Sequence, residues 1–281
     1  MTVQKRCENH FQKRNYLWSA GCVTAVLCAA LSMASPTQAV SIYTFESLNS
    51  PGVLDSQDNW EHSGVGGTPL IDVVTGTNGS KVAVNTGPPF AQFATRVNDS
   101  TFSIPSFTGN ESAAYIQADF RFIASGNFWF YIRGPGNLSP GIGLIDGAAT
   151  GLNTPAFAVR EGAGGAYSFV AVTGANQNDW LRIRLTMDFT ANGDDGFGDV
   201  SYMNLTQGDL AFTSVAGFQD VDLKMGSVDA EIFDALQIRT DLDVPQSQID
   251  NLTVAVPEPS SLCLTGVAFS SLAFCGWRRR R

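Results

Sequence analysis

Three observations predict an all-β domain built of two antiparallel sheets packed face to face. Between residues 40 and 256 no apolar stripe recurs with the 3.6-residue period of a helix, and Gly, Pro, Asn or Asp interrupts the chain every eight to twelve residues. Two segments alternate apolar and polar residues strictly, as a strand with one buried face must. About ten segments of strand character then fall within roughly 220 residues, too many for one open twisted sheet, which would curl or split into two layers. An immunoglobulin-like sandwich fits the same pattern but is usually shorter.

The N-terminus precedes this domain and has a different character. Lys5, Arg6, Lys13 and Arg14 lead into an apolar stretch from Ala20 to Met33, followed by Ser35-Pro36 and Thr37-Gln38-Ala39. A charged start, a short apolar middle and small residues before Ala39 make residues 1–39 a secretory signal peptide, with cleavage expected after Ala39. The folded domain then spans residues 40–256.

The clearest strand within it is 179–189, where Leu181, Ile183, Leu185, Met187 and Phe189 alternate with Trp180, Arg182, Arg184, Thr186 and Asp188. The second is 115–123, with Ile116, Ala118, Phe120 and Phe122 set against Tyr115, Gln117, Asp119 and Arg121. Further strands are expected at 42–45, 70–74, 128–133, 157–160, 167–172, 200–205, 233–239 and 250–256.

Composition excludes several chemistries. Cys7, Cys22 and Cys28 lie in the signal and Cys263 and Cys275 near the C-terminus, so the domain has no disulfide, thiol nucleophile or thiolate metal site. Its single histidine, His62, is expected in a loop; it excludes a two-histidine zinc site and leaves any Ser-His-Asp arrangement to one residue. Nine basic and 24 acidic side chains give residues 40–256 a net charge near −15. Such a field repels nucleic acid and favours divalent cations.

Phe45-Glu46-Ser47-Leu48 leading to Asp58-Asn59-Trp60, the strand Trp180 to Leu185, its turn Asp194 to Asp199 and the closing strand Ile249 to Val254 resemble a concanavalin A/laminin-G-like jelly roll of the divergent kind found in secreted bacterial proteins. The resemblance covers most of the domain. It implies a glycan- or protein-binding module, often with a structural calcium, though some members are glycosidases or lyases.

Jelly-roll glycosidases place two glutamates around an aspartate on one strand, since retaining chemistry needs carboxylates about 5 Å apart. No such run exists here. In the nearest, Asp229 to Asp234, Glu231 and Asp234 point to opposite faces of a strand, and nothing distinguishes Asp229 from Glu231 as acid and nucleophile. Tyr115, Asp119 and Arg121 share a face that keeps lyase chemistry open.

Two binding sites are candidates. Asp188, Asn192, Asp194, Asp195 and Asp199 gather oxygen ligands around Gly193, Gly196 and Gly198, which suits a calcium loop or an ordinary polar hairpin. On 128–133, Phe128, Phe130 and Ile132 are expected to face the core, leaving Trp129, Tyr131 and Arg133 outward as a sugar platform or beneath a covering loop. If this strand neighbours 115–123 and 179–189, then Tyr115, Gln117, Trp180, Arg182 and Arg184 extend that surface.

The C-terminus supplies an address. Pro257-Glu258-Pro259 precedes an uncharged, largely apolar run, 261–277, and then Arg278, Arg279, Arg280 and Arg281. As a helix the run would extend roughly 25 Å, slightly short of a hydrocarbon core of about 30 Å, and four arginines would hold its end on the cytoplasmic side. This three-part tail resembles the PEP-CTERM sorting signal of bacteria with a Gram-negative-type envelope. The resemblance implies recognition near Pro257-Glu258-Pro259 by an exosortase, a membrane protease-transpeptidase, and a link to exopolysaccharide or biofilm; the alternative is a plain transmembrane anchor. The sequence therefore reads as an exported surface or matrix protein, a non-catalytic glycan-binding or structural component. A polysaccharide-active enzyme and a purely structural surface protein are the alternatives.

Overall fold

The computed structural model describes residues 38–64, 71–76, 79–85, 92–105, 107, 113–121, 127–134, 140–146, 155–162, 166–192, 196–223, 233–241 and 247–257. Nearly all of them belong to one unit, Ala39–Val256. Most of the expected signal peptide and all of the apolar run 261–277 lie outside the described residues, as do Glu258, Pro259 and Arg278 to Arg281. No helix among the described residues is long and apolar enough to cross a membrane.

The chain begins with β1 (Gln38–Tyr43), a short 3-10 turn at Phe45–Ser47, β2 (Gly52–Val53), β3 (Trp60–Gly64), β4 (Ile71–Thr75), β5 (Lys81–Asn85) and β6 (Gln92–Val97). It continues through β7 (Ala114–Arg121), β8 (Asn127–Arg133), β9 (Gly141–Ile145), β10 (Ala156–Arg160), β11 (Tyr167–Ala171) and β12 (Trp180–Asp188). Last come β13 (Phe197–Asn204), β14 (Thr213–Ser214), β15 (Val221–Asp222), β16 (Ala235–Asp241) and β17 (Gln248–Pro257). The all-β expectation holds.

Two sheets form. The first runs β14-β13-β12-β7-β17-β5-β4-β2, with β1 beside β17 and β15 beside β13; the second runs β11-β10-β9-β8-β16-β6-β3. Their inner faces supply one core. Ile116, Ala118 and Phe120 of β7, Leu181 to Met187 in alternation on β12, and Ile249, Leu252 and Val254 of β17 meet Phe128, Phe130 and Ile132 of β8, Phe157 and Val159 of β10, and Leu236 and Ile238 of β16. On β7, β8 and β12 the period-two pattern places these residues inward because a strand with one wet face can bury only alternate positions.

The Phe45 to Trp60 segment closes one corner of this core. Tyr43 packs edge-on against Phe45, Trp60 and Phe102, and its hydroxyl donates to Asp58 Oδ2 at 2.8 Å. Burial, followed by that bond, raises the Tyr43 phenol well above its ordinary pKa. Beside it the fully buried Arg96 guanidinium donates to Asp99 at 2.8 Å, Asp58 at 3.3 Å and Thr101 at 3.0 Å. Bonds from Arg96 and Thr101 hold the Asp99 carboxyl well below the usual carboxylate range. This network fixes the Asp55 to Asn59 turn, where Ser56, Asp58 and Asn59 adopt left-handed backbone.

Two expectations are corrected. His62 lies within β3, half-buried, rather than in a loop, and its backbone N–H donates to Asp55 Oδ1. Strand β8 pairs with β9 and β16, not with β7 or β12. The expected surface joining Trp129, Tyr131 and Arg133 to Tyr115 and Trp180 is therefore split between the outer faces of opposite sheets, separated by the whole core.

Candidate functional site

The outer face of the second sheet is closed. Trp129 and Tyr131 point away from the main core as the alternation requires, yet they are only 3% and 1% exposed. The reason lies one strand over: Trp129 pairs with Gly143 and Tyr131 with Gly141. A Cβ on Gly141 would sit 2.0 Å from a Tyr131 ring carbon, and one on Gly143 would sit 2.8 Å from the Trp129 ring. The rings thus lie flat over two glycines, stacked 5.9 Å apart, instead of standing out as a platform. Tyr167 closes on Trp129 at 4.9 Å, and Arg160 lies 5.3 Å over the Tyr131 ring. With Ile145, Ala156 and Ala158 they make a small second core. Arg133, at the end of β8, is half-buried.

The outer face of the first sheet is polar and open at one place. β7 and β12 pair so that Asp119 faces Arg182 and Gln117 faces Arg184. Arg182 donates to both oxygens of Asp119, at 2.7 and 2.8 Å, a bidentate pair on a carboxylate only 3% exposed. That bond also raises the Arg182 pKa further. Arg184 donates twice to Gln117 Oε1 and sits between the Tyr115 and Phe212 rings, 4.3 and 3.9 Å from their centroids. Tyr115 is therefore occupied by a neighbour.

On the other side of β7 a bulge shapes the site. Asp250 pairs with Asp119 and Thr253 with Gln117, so Asn251 and Leu252 together oppose the single residue Ala118. Asn251 takes φ 52°. The extra residue brings two consecutive side chains toward the same polar row, since Asn251 Nδ2 donates to Asp119 Oδ2 at 2.8 Å beside Asp250. Asp119, Trp180, Leu205, Thr206, Asp250 and Asn251 line a cavity of about 250 Å³ here. Its rim is fixed by backbone bonds: the Trp180 N–H donates to Thr206 Oγ1 at 2.8 Å, and the Leu205 N–H donates to the Trp180 carbonyl at 2.8 Å. Below them the buried Asn204 amide donates to Asp179 at 2.7 Å.

The two carboxylates differ in state. Asp119 accepts three bonds and faces a cation. Asp250, 6% exposed, accepts one from the Asn251 N–H and has no ion pair among the described residues. Burial, with the nearby charges of Asp119 and Glu46, pushes its pKa up to about 6, against the opposing pull of the Asn251 N–H and Arg182. Of the residues lining this cavity, sequence reasoning selected Trp180 as part of a sugar face and Asp119 on a lyase face, but missed Asp250, Asn251 and Thr206. One signal was present: Ile249 and Leu252 are both apolar, which breaks the period of two at Asp250-Asn251.

The acidic hairpin is only partly described, since Asp194 and Asp195 lie outside the described residues. Asp188 Oδ1 accepts from the Thr190 N–H and hydroxyl, Asp199 Oδ1 accepts from the Asp220 N–H, and Asn192 takes φ 56°. No cluster of three His, Cys, Asp or Glu side chains suited to a metal occurs among the described residues. Of the carboxylates in the Asp229 to Asp234 run only Asp234 is described, and it is exposed.

No protein-family model and no curated protein matches the sequence. Among solved structures, the globular domain of T. cruzi calreticulin is similar over 84% of this chain and 95% of its own, at 9% identity and a TM-score of 0.50. A winged bean acidic lectin complexed with methyl-alpha-D-galactose covers 78% of this chain and 99% of its own, at 10% identity and a TM-score of 0.43. The carbohydrate-binding module CBM66 from Bacillus subtilis covers 72% and 99%, at 13% identity and 0.36. At these identities the likeness to the calreticulin domain concerns the fold alone.

Proposed function

We propose that this domain is a non-catalytic glycan-binding module on a concanavalin A/laminin-G-like jelly roll, with its site on the outer face of the first sheet. One observation carries the reading: at a cavity walled by the half-buried Trp180 indole, the Asp250 carboxylate, the Asn251 amide and the Thr206 hydroxyl converge. An aromatic wall with a few fixed polar groups is the composition that orients a sugar ring. Asp119 is held by Arg182 and Asn251, so among the described residues that line the cavity Asp250 has no second free carboxylate beside it for acid and nucleophile chemistry. Pull-down of the full-length protein on insoluble polysaccharides tests this. Trp180→Ala is expected to weaken binding about tenfold or more, equivalent to roughly 1.4 kcal/mol. A wild type that binds no polysaccharide would sink the reading and leave a structural surface protein.

The protein is exported by its N-terminal signal and sorted by a PEP-CTERM tail, with an exosortase-type protease as membrane partner, exopolysaccharide as ligand and surface or matrix as destination. The order of Pro257-Glu258-Pro259, apolar run and arginines supports this. Replacing Pro257, Glu258 and Pro259 with alanines is expected to leave export intact and the tail uncleaved. Identical fractionation of mutant and wild type, with Arg278 to Arg281 retained in both, would reduce the tail to an anchor.

A further inference from the structure

From the unequal hydrogen-bonding states of the two carboxylates, and resting on the glycan reading above, we infer that the cavity selects sugar units bearing hydroxyl or ammonium donors and rejects anionic sugars such as uronates. Both oxygens of Asp119 already accept donors, Oδ1 from Arg182 Nε and Oδ2 from Arg182 Nη2 and Asn251 Nδ2, so this carboxylate is a strut that fixes its neighbours. The groups with capacity left for a ligand are mostly acceptors. Asp250 uses one oxygen for the Asn251 N–H at 2.7 Å, and its other oxygen has no donor among the described residues. The Asn251 amide donates to Asp119, which leaves its carbonyl oxygen as a further acceptor. On the same strand and face, the buried Gln248 Oε1 also lacks a donor. The Thr206 hydroxyl oxygen accepts from the Trp180 backbone N–H, so its own proton is a donor on that side.

A buried acceptor without a donor destabilises a fold, and a buried carboxylate without a counter-ion does so more strongly. Such groups are tolerated where a ligand completes them. A hydroxyl or ammonium satisfies Asp250, whereas a second carboxylate would face it and repel it. Arg182 does not reverse this, because its charge is offset by Asp119, which accepts from its Nε and Nη2, and because it is not among the residues lining the cavity. The negative charge of the domain as a whole adds a diffuse, salt-sensitive bias in the same direction.

Calorimetric titration of the full-length protein at pH 7.5 tests the inference with three soluble probes: a neutral β-glucan, a chitosan oligosaccharide and polygalacturonate. The glucan, the chitosan or both are expected to bind at least about tenfold tighter than polygalacturonate. Comparing the first two separates hydroxyl from amino-group recognition. Asp250→Asn is expected to narrow the discrimination against polygalacturonate about tenfold, since one local charge is removed from a domain that carries many. The wild type provides a second measurement that needs no variant. Lowering the pH to 5 protonates Asp250, faced by Asp119 from β7, Arg182 from β12 and Glu46 from the 3-10 turn, while uronates with pKa near ~3.5 stay ionised. The discrimination should then shrink. Polygalacturonate binding as tightly as the others, or discrimination unchanged by both Asp250→Asn and pH, would overturn the inference while leaving the glycan reading intact. No binding of any probe would overturn the glycan reading and the selectivity with it.

Discussion

Replacing Trp129 with alanine separates the two outer faces of the sandwich energetically. The indole is 3% exposed, stacked on Tyr131 at 5.9 Å, covered by Tyr167 at 4.9 Å and laid over Gly143. Large-to-small substitution of a buried tryptophan costs about 3 to 5 kcal/mol, depending on how far the surroundings collapse. Collapse is limited here because the residue beneath the ring is a glycine with no side chain to move into the space, so the upper half of that range applies. For a domain of this size each kcal/mol moves the midpoint by roughly 2–4 °C, which gives a drop on the order of 10 °C. Urea denaturation of the full-length protein, followed by far-ultraviolet circular dichroism, reads the same loss as a shift in midpoint at constant slope. Polysaccharide binding by the surviving folded fraction should be unchanged. A loss below about 1 kcal/mol would refute the argument that these rings form a second core. Loss of binding at unchanged stability would restore them as a sugar platform.

Two further outcomes follow from the same geometry and a third from the sequence of the acidic hairpin. Asp250 has a folded pKa of about 6, above its ordinary value, so the unfolded chain releases this proton first as pH rises. Its contribution to stability is present below about pH 4 and is lost as pH rises through 6, a change of roughly 2 to 3 kcal/mol, and Asp250→Asn should flatten that part of the pH profile in thermal melts. Arg182→Met leaves the buried Asp119 with only the Asn251 amide and should cost about 3 kcal/mol by denaturant titration, with Asp119→Asn in the same chain recovering part of it. Calcium at the 188–199 hairpin would raise the melting temperature by mass action, chelator would lower it, and Asp195→Ala would abolish the response; equal melting in excess calcium and excess chelator removes that site.

The sequence made the fold legible wherever burial alternated cleanly. Strand β12 (Trp180–Asp188) lies within the expected 179–189, and β7 (Ala114–Arg121) begins one residue from the expected 115–123. Strands lacking that signal were missed for identifiable reasons. In β9 the outward positions include Gly141 and Gly143, which read as turn residues but make room for the Tyr131 and Trp129 rings. In β3, Glu61 and His62 follow Trp60 with little apolar character, because the strand lies at a sheet edge. Pairing order was not legible at all. Nothing local to 128–133 says that its partners are β9 and β16, and that non-local choice decides whether Trp129 and Trp180 share a face. The cavity was legible only in part, because it depends on a one-residue bulge at Asn251 and on a turn at Leu205–Thr206 that meets Trp180 from the end of the neighbouring strand.

Hydrogen–deuterium exchange of the full-length protein, with and without a saturating neutral oligosaccharide, tests the location of the site most directly. Protection should appear at the Leu205–Thr206 turn, around the bulge from Asp250 to Thr253 and at the start of β12, with β8 to β11 unchanged. Protection confined to β8 to β11, with none around Asp250 and Thr206, would contradict the assignment.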